Sequence, residues 1–193
     1  MKVISFDPSM SNWGYVYGDL DPNTDKFTPV YCGIISTKRD QTKSVANNSK
    51  DLTRVQGIVI ELVEVLELAN PELMFAEVPH GSQSSRASVS YGVCIALLAS
   101  LRHAGYPLIE VTAENVKHVV ASANPKRTPG KVSKKEVITW ATQLYPELDY
   151  PRHRGALAGK TEHIADAIAA LHAGVQTGEY ARIKPFLMRK SEQ

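Results

Sequence analysis

The chain has 193 residues, of which 43% are hydrophobic and 22% charged, and it carries a formal net charge of +2. These are ordinary values for one globular domain with a real core. No apolar run approaches the roughly 20 residues of a membrane helix, and the start of the chain lacks the basic-then-apolar pattern of an export signal, so the expectation is a cytoplasmic protein. In chain order, Val3, Ile4 and Phe6 make a short apolar strand that stops at Asp7. Pro8, Ser9, Ser11 and Asn12 are turn formers, Gly14 relieves the backbone, and Tyr15, Val16 and Tyr17 resume an extended pattern. Residues 19–27, rich in Asp, Asn, Pro and Thr, read as a hairpin loop, residues 30–35 as a third strand, and residues 37–48 as a polar loop.

From about residue 49 to 69, Leu52, Val55, Ile58, Val59, Leu62, Leu66 and Ala69 recur at helical spacing, and Asn70 and Pro71 end the run. Leu73 to Ala76 is a buried-type strand that stops at a second acid, Glu77. Residues 84–104 are helical, with Tyr91, Ile95, Leu98 and Leu101 as an apolar set and Gly92, Ala96 and Ala99 as a small-residue set. Gly105 fits the helix end, and residues 107–111 give a fifth strand. Short helices follow over 113–121 and 132–144, separated by a Pro- and Lys-containing loop. Residues 145–160 lack periodicity and read as a mobile basic loop, and residues 161–174 as the last clear helix. Cys32 falls in a predicted strand and Cys94 in a predicted helix, without CxxC spacing or a nearby His, so both are expected to be buried reduced thiols.

Three antiparallel strands followed by alternating helix and strand predict an α/β fold: a mixed five-stranded sheet flanked by helices, the ribonuclease H-like layout. Residues 1–178 are assigned to that domain and residues 179–193 to a basic C-terminal tail, whose Arg182, Lys184, Arg189 and Lys190 are expected to be solvated. On the last helix His163 and Asp166 are three apart and share one face, while Ile164, Ile168 and Leu171 define another that can pack on the sheet. If that helix lies near the exits of the first and fourth strands, Asp7, Glu77, His163 and Asp166 converge. Three carboxylates and an imidazole would repel one another unless cations neutralise them, and hard oxygen ligands favour Mg²⁺ or Mn²⁺, two ions suiting phosphodiester hydrolysis. Glu162 is a competing carboxylate ranked below Asp166. Each acid taken alone also fits a strand-end or helix-start role.

These stretches resemble the RuvC-type Holliday junction resolvases. The run from Asp7 to Tyr15 is similar to the family's opening motif, Phe75 to Glu77 to its second acidic strand, residues 87–105 to its small-residue helix, Glu110 to Lys117 to its strand and following helix, and His163 to Ala167 to its closing acidic motif. The likeness spans residues 1 to about 174. It implies a homodimeric, metal-dependent endonuclease that resolves four-way DNA junctions in recombination and repair by paired symmetric nicks, with Asp7, Glu77, His163 and Asp166 as the metal-binding catalytic set. Three departures stand out. Ser9 replaces a usual glycine, His163 stands where many members carry an acid, and Val78, Pro79 and His80 occupy the place of a commonly aromatic wedge. The imidazole, a softer ligand, leads to an expectation of better activity with Mn²⁺ than with Mg²⁺.

Charge is uneven along the chain, net −3 over residues 1–96 and +5 over residues 97–193. The densest basic stretch holds Lys117, Lys126, Arg127, Lys131, Lys134 and Lys135 with no acid between, and is the expected DNA face. By the resemblance, Lys117 and one of Lys134 or Lys135 would lie near the scissile phosphate, with Lys117 counted among the catalytic residues. His80, Arg127 and Lys131 complete the DNA-binding set, which Arg152, Arg154 and Lys160 can extend. Gly92, Ala96 and Ala99 are the candidate dimer stripe, the rival being packing on the sheet. No organic cofactor is expected. The alternatives are a nuclease of the same fold acting on other branched DNA or on RNA, and a non-catalytic junction-binding protein. An actin-like ATPase needs a duplicated domain and paired phosphate loops for which the chain has no room.

Overall fold

The computed structural model describes residues 1–81, 84–123 and 128–190. Its centre is a five-stranded sheet of order β3-β2-β1-β4-β5, formed by β1 (Lys2–Asp7), β2 (Asn12–Asp21), β3 (Lys26–Ser36), β4 (Leu73–Glu77) and β5 (Leu108–Val111). The first three strands are antiparallel, and β4 and β5 run parallel to β1. That is the mixed sheet expected from the sequence. Strands β2 and β3 are longer than their patterns suggest. Pro29 masks the start of β3, but β3 is an edge strand, where a residue without an N–H is tolerated.

Alternation sorts the strand side chains onto two faces. Val3, Leu73 and Phe75 face a layer of α3 (Ala113–Ser122), α4 (Lys134–Leu144), α5 (Thr161–Gly174) and α6 (Gly178–Lys190). Ile4, Phe6, Met74 and Ala76 face α1 (Asn47–Ala69) and α2 (Ser85–His103). Helix α1 stops where Asn70 takes a left-handed conformation, its N–H bonding to Leu66, as the Asn70-Pro71 pair foretells. Ile58, Leu62, Leu66 and Ala69 are its buried stripe, whereas Leu52 is solvent-exposed. On α2 it is Cys94 and Leu98 that are buried; Ile95, grouped with the apolar set on spacing, points outward. Cys32 and Cys94 are buried free thiols, and burial pushes the first up to about 11 and the second up to about 12, so little of either is thiolate at neutral pH.

Helix α5 is the buried spine of the other layer. Ala165, Ala167, Ile168, Ala169, Ala170 and Leu171 are all inaccessible to solvent. Residues 145–160 are better anchored than their lack of period implies: Tyr145, Leu148 and Tyr150 belong to the core, and a small hairpin pairs β6 (Arg152–His153) with β7 (Ala156–Leu157). Beyond the expected domain end the chain forms α6, Gly178–Lys190. Tyr180 is buried against Phe75 and donates to Asp25, which also accepts from Lys184 at 2.7 and 2.8 Å, so Lys184 is paired and not simply solvated. Among the described residues no helix is long and apolar enough to cross a membrane.

His172 of α5 stacks on Tyr145, whose hydroxyl lies 2.7 Å from its Nε2, with Trp140 edge-on to the ring. Burial pushes its pKa down to about 4, so the ring is neutral at pH 7 and shares its hydrogen bond with the tyrosine hydroxyl in that form. The unfolded chain, with an ordinary histidine near 6.5, takes up a proton first, and stability falls as pH drops through that window. Denaturant titrations at pH 7 and 4.5 should show a loss of about 2 to 3 kcal/mol from this group. The loss should be smaller by that amount in His172→Gln; an identical pH dependence in both proteins would assign it elsewhere.

Candidate active site

The parity of β1 and β4 that buries Val3, Leu73 and Phe75 against α5 also aims Asp7 and Glu77 at α5. Phe6 and Ala76 are paired neighbours in the parallel ladder, so the two acids leave adjacent strands one residue further on, side by side at the carboxyl edge. Helix α5 starts above them. Thr161 is buried and its hydroxyl donates to the Pro151 carbonyl, which fixes the helix start. Gly14, the ladder partner of Asp7, lets α5 approach: a Cβ there would meet the His163 carbonyl oxygen at 2.2 Å.

His163 Nδ1 lies 2.7 Å from Asp7 Oδ2, joining side chains 156 residues apart in sequence. The imidazole's other nitrogen is 3.7 Å from Glu162 Oε1. Burial pushes the Glu77 carboxyl up to about 8, with the charges of Asp7 and Asp166 adding to it and Lys117 opposing. Asp166 is pushed up to about 7 by burial and then by Asp7, with His163 opposing. For His163, burial disfavours the charged ring, but the hydrogen bond to Asp7 and the charges of Asp7, Glu162 and Asp166 outweigh it and the pKa rises. The four side chains named from the sequence therefore share one electrostatic neighbourhood.

Among the described residues no three acid, His or Cys side chains stand close enough to form a ready-made cation cage. The physical reason is visible in the same shifts: bare carboxylates at one sheet edge repel, and Asp7 takes its nearest compensating partner, His163. In chemical type the set of three carboxylates and one imidazole suits a hard divalent cation, which would relieve the repulsion that raises Glu77 and Asp166.

Two lysines flank the acids. Lys117, on α3 one turn beyond the Thr112–Asn115 capping box, is exposed and near enough to Glu77 to oppose its shift. Lys134 opens α4, which Ser133 and Glu136 cap reciprocally, and its Nζ lies 3.1 Å from Glu162 Oε2. That bond first, and then Glu162, Asp166 and Asp7 as charges, raise its pKa against the effect of burial. Lys135 instead lines a groove between α3 and α4 beside Trp140. Of the two lysines that the sequence leaves open, Lys134 turns toward the acids and Lys135 turns away from them. Glu162 is paired with this lysine, whereas Asp166 is subject to strong burial. His80 and Lys131 are exposed, and Arg127 and Lys126 lie outside the described residues. What sequence reading missed is Arg54 of α1, which grips the Asp7 turn; nothing in the spacing of α1 marks it.

No protein-family profile matches the chain, and no curated protein matches it by sequence. Solved structures do resemble it. Thermus thermophilus RuvC in complex with a Holliday junction substrate aligns with a TM-score of 0.63 and 21% identity over 95% of this chain and 96% of that one. The yeast mitochondrial Holliday junction resolvase aligns with a TM-score of 0.57 and 12% identity over 96% and 83%. The fowlpox virus resolvase bound to Holliday junction DNA gives 0.53 and 15% over 94% and 99%. The chain thus has the RuvC-like form of the ribonuclease H fold across nearly its whole length.

Proposed function

We propose that this chain is a divalent-metal-dependent, structure-specific endonuclease that resolves four-way DNA junctions by paired nicks. The observation that carries the reading is the meeting of Asp7, Glu77, His163 and Asp166 at the carboxyl edge of β1 and β4, on a fold shared with three junction-bound or junction-resolving proteins. Asp7, Glu77 and Asp166, with His163 at their edge, would hold one or two Mg²⁺ or Mn²⁺ ions, which supply a Lewis acid and an activated water at a scissile phosphate. Lys134 and Lys117 bracket the acids, so a phosphodiester drawn to the lysines is delivered to the carboxylates. His163 holds one Asp7 oxygen by hydrogen bond and so fixes that carboxylate beside Glu77 and Asp166, whose own ionisation burial opposes.

The dimer expected for symmetric nicking has support in the exposed face of α2. Gly92, Ala96 and Ala99 are open to solvent together with Val89 and Ile95, and a Cβ built on Gly92 would meet nothing within 4 Å beyond its chain neighbours and its own helix backbone. The stripe is therefore free of the sheet and available for close helix contact across a two-fold axis.

The test is nicking of a labelled four-way junction, a duplex, a flap and an RNA hairpin, in Mg²⁺ and in Mn²⁺, with sedimentation of the protein alongside. Expected are symmetric nicks confined to the junction, a dimer at micromolar concentration, and faster cutting in Mn²⁺. Cutting of the flap or the RNA in preference would keep the chemistry and overturn the substrate. Binding without cutting in either metal would overturn the enzyme.

A further inference from the structure

The turn between Asp7 and β2 is held from one side by an arginine whose side chain is largely shielded from solvent. Arg54 projects from the second turn of α1 with its side chain only 9% exposed. Its Nη2 donates to the Met10 carbonyl at 2.8 Å and to Ser11 Oγ at 3.0 Å, and its Nε to Thr37 Oγ1 at 3.3 Å. Thr37 in turn donates its hydroxyl to the same Met10 carbonyl and its N–H to the Ser11 carbonyl. The guanidinium thus ties together the Asp7 turn and the chain leaving β3, a task for its planar fork that a lysine cannot repeat.

Arg54 is itself set by a second arginine. Its Nη1 lies 4.0 Å from Asp51 Oδ1, and Asp51 accepts a bidentate pair from Arg86, at 2.6 Å to Oδ1 and 2.8 Å to Oδ2. Arg86 sits in the first turn of α2, behind the Ser84 cap. A polar chain therefore runs from the start of α2 through Asp51 and Arg54 to Met10 and Ser11, three and four residues beyond Asp7. None of these groups belongs to the acidic set, and Lys117, Lys134 and Lys135, expected to meet DNA, belong to the helices of the opposite layer.

We propose that Arg54 is a positioning residue for the nuclease site, holding the Met10-Ser11 turn so that Asp7 is presented to His163 and Asp166, and that the Asp51–Arg86 pair keeps Arg54 in that pose. The inference rests on the nuclease reading for its catalytic consequence, though not for its mechanical one. Because α2 also carries the exposed small-residue face, the chain of bonds gives assembly on α2 a route to the Asp7 turn.

The experiment compares wild type, Arg54→Met, Arg54→Lys, Asp51→Asn and the Arg54→Met/Asp51→Asn pair by single-turnover nicking at saturating enzyme, junction Kd, and amide hydrogen exchange over residues 8–14, with α4 as an internal control. Arg54→Met should slow nicking about 30-fold while Kd stays within about threefold, and Arg54→Lys should fall between it and wild type. The double variant should be no slower than Arg54→Met, and exchange over 8–14 should quicken at least about tenfold with α4 unchanged. Nicking by Arg54→Met within about threefold of wild type, or a Kd that weakens in step with the rate, would overturn the positioning role, the latter by making Arg54 a DNA contact. Additive effects of Asp51→Asn would remove Asp51 from the chain. If wild type cuts no substrate, the functional reading fails, and unchanged exchange in Arg54→Met would then sink the mechanical claim separately.

Discussion

Asp7→Asn should yield a protein that binds a four-way junction normally and cuts it at least about 10³-fold more slowly, a loss of about 4 kcal/mol of transition-state stabilisation. The amide keeps the size of the carboxylate and an oxygen that can still accept from His163 Nδ1, so the β1 exit and the α5 start remain joined. What disappears is the charge. Glu77 and Asp166 are both driven toward their neutral forms, first by burial and then by Asp7, and Asp7 alone of the three is hydrogen-bonded to the imidazole. Removing it takes away the anchor for a cation while easing the repulsion on its neighbours, and the melting temperature should fall by no more than about 3 °C. Binding should survive because Lys117 and Lys134 are untouched. Cutting within about tenfold of wild type would remove Asp7 from the chemistry. Loss of junction binding in parallel with cutting would make Asp7 a structural element of the DNA face.

Much of this site is legible in one dimension because the rules that build it are local. A strand alternates with period two, so an acid that ends an apolar run keeps the facing of the residues two and four before it: Val3 and Leu73 look at α5, and so do Asp7 and Glu77. Helical spacing likewise brings His163 and Asp166 onto one side of α5 while Ile164 and Ile168 pack beneath. What escapes is set by partners far away in sequence. Lys134 and Lys135 are equivalent in composition, and only the angle at which α4 leaves its Ser133 cap turns one toward Glu162 and the other toward Trp140. Tyr180 reads as part of a polar tail until Phe75 and Asp25 are seen to receive it. Leu148 and Tyr150 show no period because each fills a gap in the core from a loop, where packing and not spacing selects the residue. Arg54 reads as one more charge on an amphipathic helix, since its three acceptors come from segments 17 to 44 residues away.

Gly14→Ala should be among the most damaging single-methyl changes in the chain, for stability and for cutting together. A Cβ at this position would lie 2.2 Å from the His163 carbonyl oxygen, 2.4 Å from its carbonyl carbon and 2.8 Å from its Cβ. The first two are backbone atoms of a helix, so no rotamer change relieves the clash. Helix α5 is locked against β1, β2 and β4 by Ile164, Ala165 and the inaccessible run from Ala167 to Leu171, and the strand side is held by the ladder that pairs Gly14 with Asp7 and Ile34. Either α5 tilts away at its start or β2 bends, and both separate His163 from Asp7. Overpacking of this kind costs about 3 kcal/mol, which in a chain of this size lowers the melting temperature by roughly 6 to 12 °C. A displacement near 1 Å at the reacting groups should slow nicking about 100-fold in protein still folded at the assay temperature. Gly57→Ala is the matched control: it lies mid-helix in α1 with nothing within 4 Å of the added Cβ, and should raise stability by about 0.5 to 1 kcal/mol with no change in cutting. Wild-type melting and nicking in Gly14→Ala would mean that α5 does not approach β2 this closely. A lowered melting temperature with full activity would show the strain absorbed away from His163, and the helix start would then have no part in presenting the imidazole to Asp7.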